Sequence, residues 1–71
     1  MPKHSLSVAG HRTSITLEDE FWAALGAIAA QKNQAVSALV AEIDATKPDD
    51  ANLSSAIRIF ILRHYQANAG I

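Results

Sequence analysis

Arg12-Thr13-Ser14-Ile15-Thr16-Leu17 is the stretch whose reading decides the fold. It is rich in β-branched residues and alternates polar with apolar side chains, the period of a strand with one buried face. Thr13, Ile15 and Leu17 point one way, and Arg12, Ser14 and Thr16 point the other. No second segment has this character, so the expectation is one short strand over 11–17, preceded by a flexible arm over 1–10. A lone strand leaves backbone donors and acceptors unsatisfied and is unstable in water. Its partner is therefore expected from a second copy, paired antiparallel across a two-fold axis. On this reading the monomer is incomplete.

Outward from the strand, a helix is expected over 17–32. Thr16 is its expected N-cap, with Asp19 in a weak capping box and acids in the first turn to complement the dipole. Leu17, Phe21, Leu25, Ile28 and Ala29 recur at helical spacing and form its buried stripe. Gln31-Lys32-Asn33 offers a C-terminus. A second helix is expected over 37–45, capped by Ser37 and carrying Leu39, Val40 and Ile43. Pro48 disfavours helix at Lys47 and marks the only clear break. A last helix over 53–67, starting at Asn52 or Ser54 and fading by Asn68 to Gly70, is apolar almost all round through Ile57, Ile59, Phe60, Ile61 and Leu62. It must be covered on more than one side, which again points to a second chain.

Composition agrees with a small subunit. The chain has 71 residues, 49% of them hydrophobic and 18% charged, which is too apolar for a disordered segment. A domain this small removes a low fraction of its surface from water and usually needs a staple. There is no cysteine to make one, and His4, His11 and His64 are too scattered for a metal site. No apolar run is long enough to span a bilayer and MPKHSLSVAG lacks a signal-peptide pattern, so the expected compartment is the cytoplasm. The formal net charge of -1 hides an uneven distribution: the first acids are Glu18, Asp19 and Glu20, behind Lys3 and Arg12. No nucleophile setting and no glycine-rich loop before a helix is present, so no enzyme and no cofactor are expected.

A strand running straight into helices, carried by RTSITLEDEFWAALGAIAA at 12–30, AVSALVAEI at 35–43 and NLSSAIRIF at 52–60, resembles the ribbon-helix-helix DNA-binding proteins. It is most similar to the short bacterial ones that combine an RTS strand, an early Trp and a C-terminal NLSSAIR helix. The resemblance covers almost the whole chain. It implies a single mainly α domain over 1–71 with one short N-terminal strand, an intertwined homodimer whose intermolecular two-stranded antiparallel ribbon enters the major groove, and one additional C-terminal helix. The implied function is sequence-specific binding of double-stranded DNA, as a transcriptional repressor or regulator.

Carried over residue by residue, the resemblance assigns base reading to Arg12, Ser14 and Thr16, with Arg12 able to donate two hydrogen bonds to guanine. It assigns phosphate contacts to the backbone N–H groups of Val36, Ser37 and Ala38 at a helix start, with Lys3, His4 and His11 on the flanking backbone. Whether Ser37 or Ser54 and Ser55 head the phosphate-facing helix stays open, because Pro48 interrupts the second helix. The expected dimer core comprises Thr13, Ile15, Leu17, Phe21, Trp22, Leu25, Ile28, Leu39, Val40, Ile43, Ile57, Phe60 and Ile61. Each assignment has a plainer counterpart: Arg12 as a solvated surface residue, Thr16 as only a helix cap, Trp22 as a packing anchor. Arg58 and Arg63 are expected to pair with acids such as Glu42 or Asp44. An alternative function is a protein-interaction module, antitoxin-like or an adaptor, docking a protein partner through the last helix or the acidic 42–50 region.

Overall fold

The computed structural model describes residues 2–68. Met1, the first residue of the expected arm, and Gly70, at the expected end of the last helix, lie outside the described residues. The element order is β1 (Lys3–Val8), β2 (His11–Thr16), α1 (Asp19–Gln31), α2 (Val36–Thr46) and α3 (Leu53–Asn68).

The first correction concerns the strand's partner. Residues expected to form an arm instead form β1, which pairs antiparallel with β2 inside the same chain, in the register Lys3↔Thr16, His4↔Ile15, Ser5↔Ser14, Leu6↔Thr13, Ser7↔Arg12 and Val8↔His11. Ala9 and Gly10 connect the strands with φ of 52° and 83°. Two consecutive positive φ values in a two-residue loop give the turn whose twist matches that of the flanking strands. The ladder is extended at its base, where the Leu17 N–H donates to the Pro2 carbonyl at 3.3 Å. The strand's hydrogen-bonding demand is thus met without a second chain on this edge.

That pairing also moves the start of α1. Thr16 is the last residue of β2, so the N-cap falls on Glu18, which makes no side-chain capping bond. At the other end Asn33 adopts φ 55°, the Gln34 N–H donates to the Ala29 carbonyl at 2.9 Å, and the Asn33 N–H to Ala30 at 3.1 Å. This paired arrangement satisfies two of the last carbonyls and suits Asn, which tolerates the left-handed region. α2 ends where Pro48 holds Lys47 extended at φ -74° and ψ 154°.

The core forms within the one chain. Val8, Ile15, Leu17, Leu25, Ile28, Ala29, Leu39, Val40, Ile43, Ile57 and Ile61 are buried. Phe21, Trp22 and Phe60 are half-buried and pack against them, and Thr13 is half-buried on the same face of β2 as Ile15. The residues expected to meet across a dimer axis therefore meet between the hairpin and the three helices, because β1 and α3 cover them. What stays uncovered is one side of α3, where Ile59, Leu62 and Tyr65 are exposed.

Candidate nucleic-acid interface

Strand alternation sorts the hairpin into two faces. His4, Leu6, Val8, Thr13 and Ile15 face the helices, with burial increasing toward Val8 and Ile15. Lys3, Ser5, Ser7, Arg12 and Ser14 face outward and are exposed, and Thr16 joins them half-buried at the ribbon's base. The register makes three cross-strand pairs of this face: Ser7 with Arg12 next to the turn, Ser5 with Ser14 in the middle, Lys3 with Thr16 at the base. Every residue is a hydrogen-bonding type with a short side chain or a cation, and no acid occurs before Glu18.

Arg12, Ser14 and Thr16 are thus brought onto one face as the alternation predicts. Ser5 and Ser7 were not singled out by sequence reasoning, although they share that face. The signal for them was the alternation of Leu6 and Val8 with serines, masked by residue types with weak strand preference. Lys3 lies on the face with them. His4 does not: its imidazole turns inward and stacks on Trp22, with ring centroids 3.8 Å apart and planes 2° apart. Its Nε2 is buried and makes no hydrogen bond among the described residues. His11 is exposed beside the turn but has the inward parity of Thr13 and Ile15.

Glu18, the acid nearest the ribbon, is engaged elsewhere. Arg58 Nε donates to Glu18 Oε1 at 3.0 Å, while the Arg58 guanidinium carbon lies 5.9 Å from the centroid of the Phe21 ring. The Glu18 carboxyl is held below its ordinary value of 4.5, first by a hydrogen bond from its own backbone N–H and then by the bond from Arg58, with burial opposing. Arg58 was expected to pair with Glu42 or Asp44. Instead Asp44 meets Lys47 at 3.7 Å, and Glu42 accepts a hydrogen bond from Gln34 Nε2. A pair forty positions apart in sequence is invisible to local spacing.

The three helix starts differ in what they offer an anion. α1 opens with Asp19 and Glu20 in its first turn, which repel one. At α3, Asn52 Oδ1 accepts from the Ser55 N–H at 3.2 Å and so occupies a first-turn donor. α2 is preceded by Ala35, whose side chain has no polar atom; it has no acid in its first turn and no side-chain cap. Its first helical bond runs from the Leu39 N–H to the Ala35 carbonyl, which leaves the N–H groups of Val36, Ser37 and Ala38 without intrahelical acceptors. Ser37 is therefore inside the helix rather than its cap. Between the alternatives of Ser37 and the Ser54–Ser55 pair, donor availability favours the start of α2.

Among the described residues no cluster of three or more His, Cys, Asp or Glu side chains is placed to hold a metal ion. None of the described helices is long and apolar enough to cross a membrane. A family model described as a ribbon-helix-helix domain matches residues 1–65. No curated protein and no solved structure gives a significant match.

Proposed function

The chain belongs to the ribbon-helix-helix domain family, whose members generally bind DNA, regulate transcription and lack enzymatic activity, and from that premise we propose that it is a sequence-specific reader of double-stranded DNA. The observation that carries the reading is the outer ribbon face of Lys3, Ser5, Ser7, Arg12, Ser14 and Thr16, polar throughout and free of acids. A two-stranded ribbon fits the major groove, and its outward side chains meet base edges there. Arg12 supplies the bidentate contact to guanine, and the hydroxyls of Ser14 and Thr16, joined by Ser5 and Ser7, donate or accept according to the base. Lys3 and the first-turn N–H groups of Val36, Ser37 and Ala38 take phosphate. His4, stacked under the ribbon, has no part in it, and His11 at the turn remains a flanking contact.

The protein acts as a homodimer in the cytoplasm of a bacterial cell, and as a transcriptional repressor. Because each chain completes its own ribbon, the dimer carries two ribbons and reads two half-sites. The uncovered side of α3, with Ile59, Leu62 and Tyr65, is where a second copy removes most apolar surface from water.

Selection of duplexes from a random pool tests the reading: an enriched site with two related halves is expected, with affinity that falls steeply as salt rises. A pool that enriches nothing, even at low salt, overturns it. The same exposed side of α3 favours a second reading, in which the domain is an adaptor that docks a partner protein there. On that reading the DNA pool stays unselected, and a partner protein protects Ile59, Leu62 and Tyr65.

A further inference from the structure

The end of α2, the 47–51 connection and one side of α3 enclose a half-open groove of about 690 Å³ that shares no residue with the ribbon's outer face. Its volume falls in the range of small-molecule sites. The floor is apolar: Ile43 is buried, Phe60 is half-buried, and Ile59 is 49% exposed and forms the wall toward solvent. The charged side chains that line it are of one sign, although Asp44 flanks it beside Lys47, and Asp49 and Asp50 belong to the 47–51 connection. Lys32, Lys47 and Arg63 line the groove and no carboxylate does. Lys32 Nζ lies 6.0 Å from the centroid of the Phe60 ring, so one cation already sits over the apolar floor. The Lys47 side chain is only 16% exposed and reaches Asp44 Oδ1 at 3.7 Å, longer than a good charge-assisted hydrogen bond, so its ammonium retains donors for another acceptor.

An apolar floor alone would not choose between neutral and charged ligands. The cationic rim does. We propose that this groove is a binding site for a small amphipathic carboxylate, an aliphatic or aromatic acid whose apolar body lies against Ile59 and Phe60 and whose carboxylate is held among Lys32, Lys47 and Arg63. The site needs no DNA, so it stands or falls separately from the ribbon's role.

The test is a titration of the isotopically labelled full chain with octanoate, followed by NMR, with octanol and octyltrimethylammonium as matched probes. Octanoate is expected to give saturable shifts centred on Ile43, Ile59 and Phe60, and to bind at least ten-fold tighter than either probe. The exposed pair Lys32→Gln and Arg63→Gln, which leaves the apolar floor intact, is expected to remove that preference while the spectrum stays folded. Equal binding of octanol, shifts centred instead on Leu62 and Tyr65, or an absence of saturable shifts overturns the proposal. So does movement of the Ile43 and Lys47 resonances with protein concentration alone, which would place a second copy inside the groove rather than along the Ile59, Leu62 and Tyr65 side of α3.

Discussion

His4 lies flat on Trp22, its imidazole centroid 3.8 Å from the indole ring, and this stack fastens β1 to α1. The hairpin otherwise meets the helices mainly through Leu6, Val8 and Ile15. Trp22→Ala removes both a half-buried aromatic and the platform for His4. It is expected to cost about 2–3 kcal/mol in chemical denaturation, below the usual range for a fully buried Trp. The double-mutant cycle with His4→Ala should show a coupling of about 0.5–1.5 kcal/mol. Additive effects would show that the rings are neighbours without mutual stabilisation.

Ala9 is a β-carbon residue held at φ 52° next to Gly10 at φ 83°. Asn tolerates that region better, and Asn-Gly is the preferred pair for this turn. Ala9→Asn is therefore expected to raise stability by about 0.5–1 kcal/mol, measured as an increase in the denaturation midpoint at unchanged slope. Gly10→Ala should lower stability by about 1 kcal/mol for the backbone alone, since an added Cβ meets nothing within 4 Å. If residues 1–10 were an arm and the ribbon formed between chains, neither substitution would change the midpoint.

That turn also marks where the sequence stops being legible. The alternation at 12–17 correctly separates Ile15 from Arg12 and Ser14, and the spacing of Leu25, Ile28, Leu39, Val40 and Ile57 correctly finds the core. Pro48 and Asn33 end their helices as their backbone preferences require. The strand at Lys3–Val8 was missed because serine, lysine and histidine are weak strand formers and because Ala-Gly lacks the Asn or Asp that usually announces a tight hairpin. Missing it produced a demand for a second chain that β1 in fact meets, and hid Ser5 and Ser7. Glu18–Arg58 and His4–Trp22 join distant segments, and only the folded chain brings them together.

Arg12 and Lys3 occupy opposite ends of the outer face, beside the turn and at the base. Arg12→Ala is expected to weaken binding to the selected duplex by about 1–3 kcal/mol and to relax preference at one base pair, with the fold unchanged. Lys3→Ala should weaken all duplexes alike and reduce the slope of log affinity against log salt by about one. An Arg12→Ala protein that keeps the full affinity and preference would remove Arg12 from the reading face.

Glu18 links stability to pH. Its folded-state carboxyl titrates below the ordinary 4.5, so it contributes stability that is fully present above 4.5 and is lost as pH falls through the depressed folded value. Melting temperature should therefore decline below about pH 4.5, and the decline should be shallower in Glu18→Gln than in the parent. Added salt should reduce the share owed to Arg58, because both side chains are partly exposed. A parent and variant with parallel profiles between neutral pH and pH 3 would mean that the carboxylate contributes nothing to folding.

Leu62 is 55% exposed, midway along α3 between Ile59 at 49% and Tyr65 at 45%. The equal spacing makes this side of the helix self-complementary: an antiparallel copy with its axis at Leu62 sets Ile59 of each chain against Tyr65 of the other. Leu62→Lys places two ammonium groups on that axis while leaving the buried Ile57 and Ile61 side of α3 untouched. Sedimentation is expected to show a dimer for the parent and for Arg12→Ala, and a monomer with helical content intact for Leu62→Lys. DNA affinity should then fall although no contacting residue has changed, since two linked half-site contacts become one. A Leu62→Lys protein that remains dimeric would move the interface away from α3, to the edges of the ribbon that the hairpin leaves unpaired.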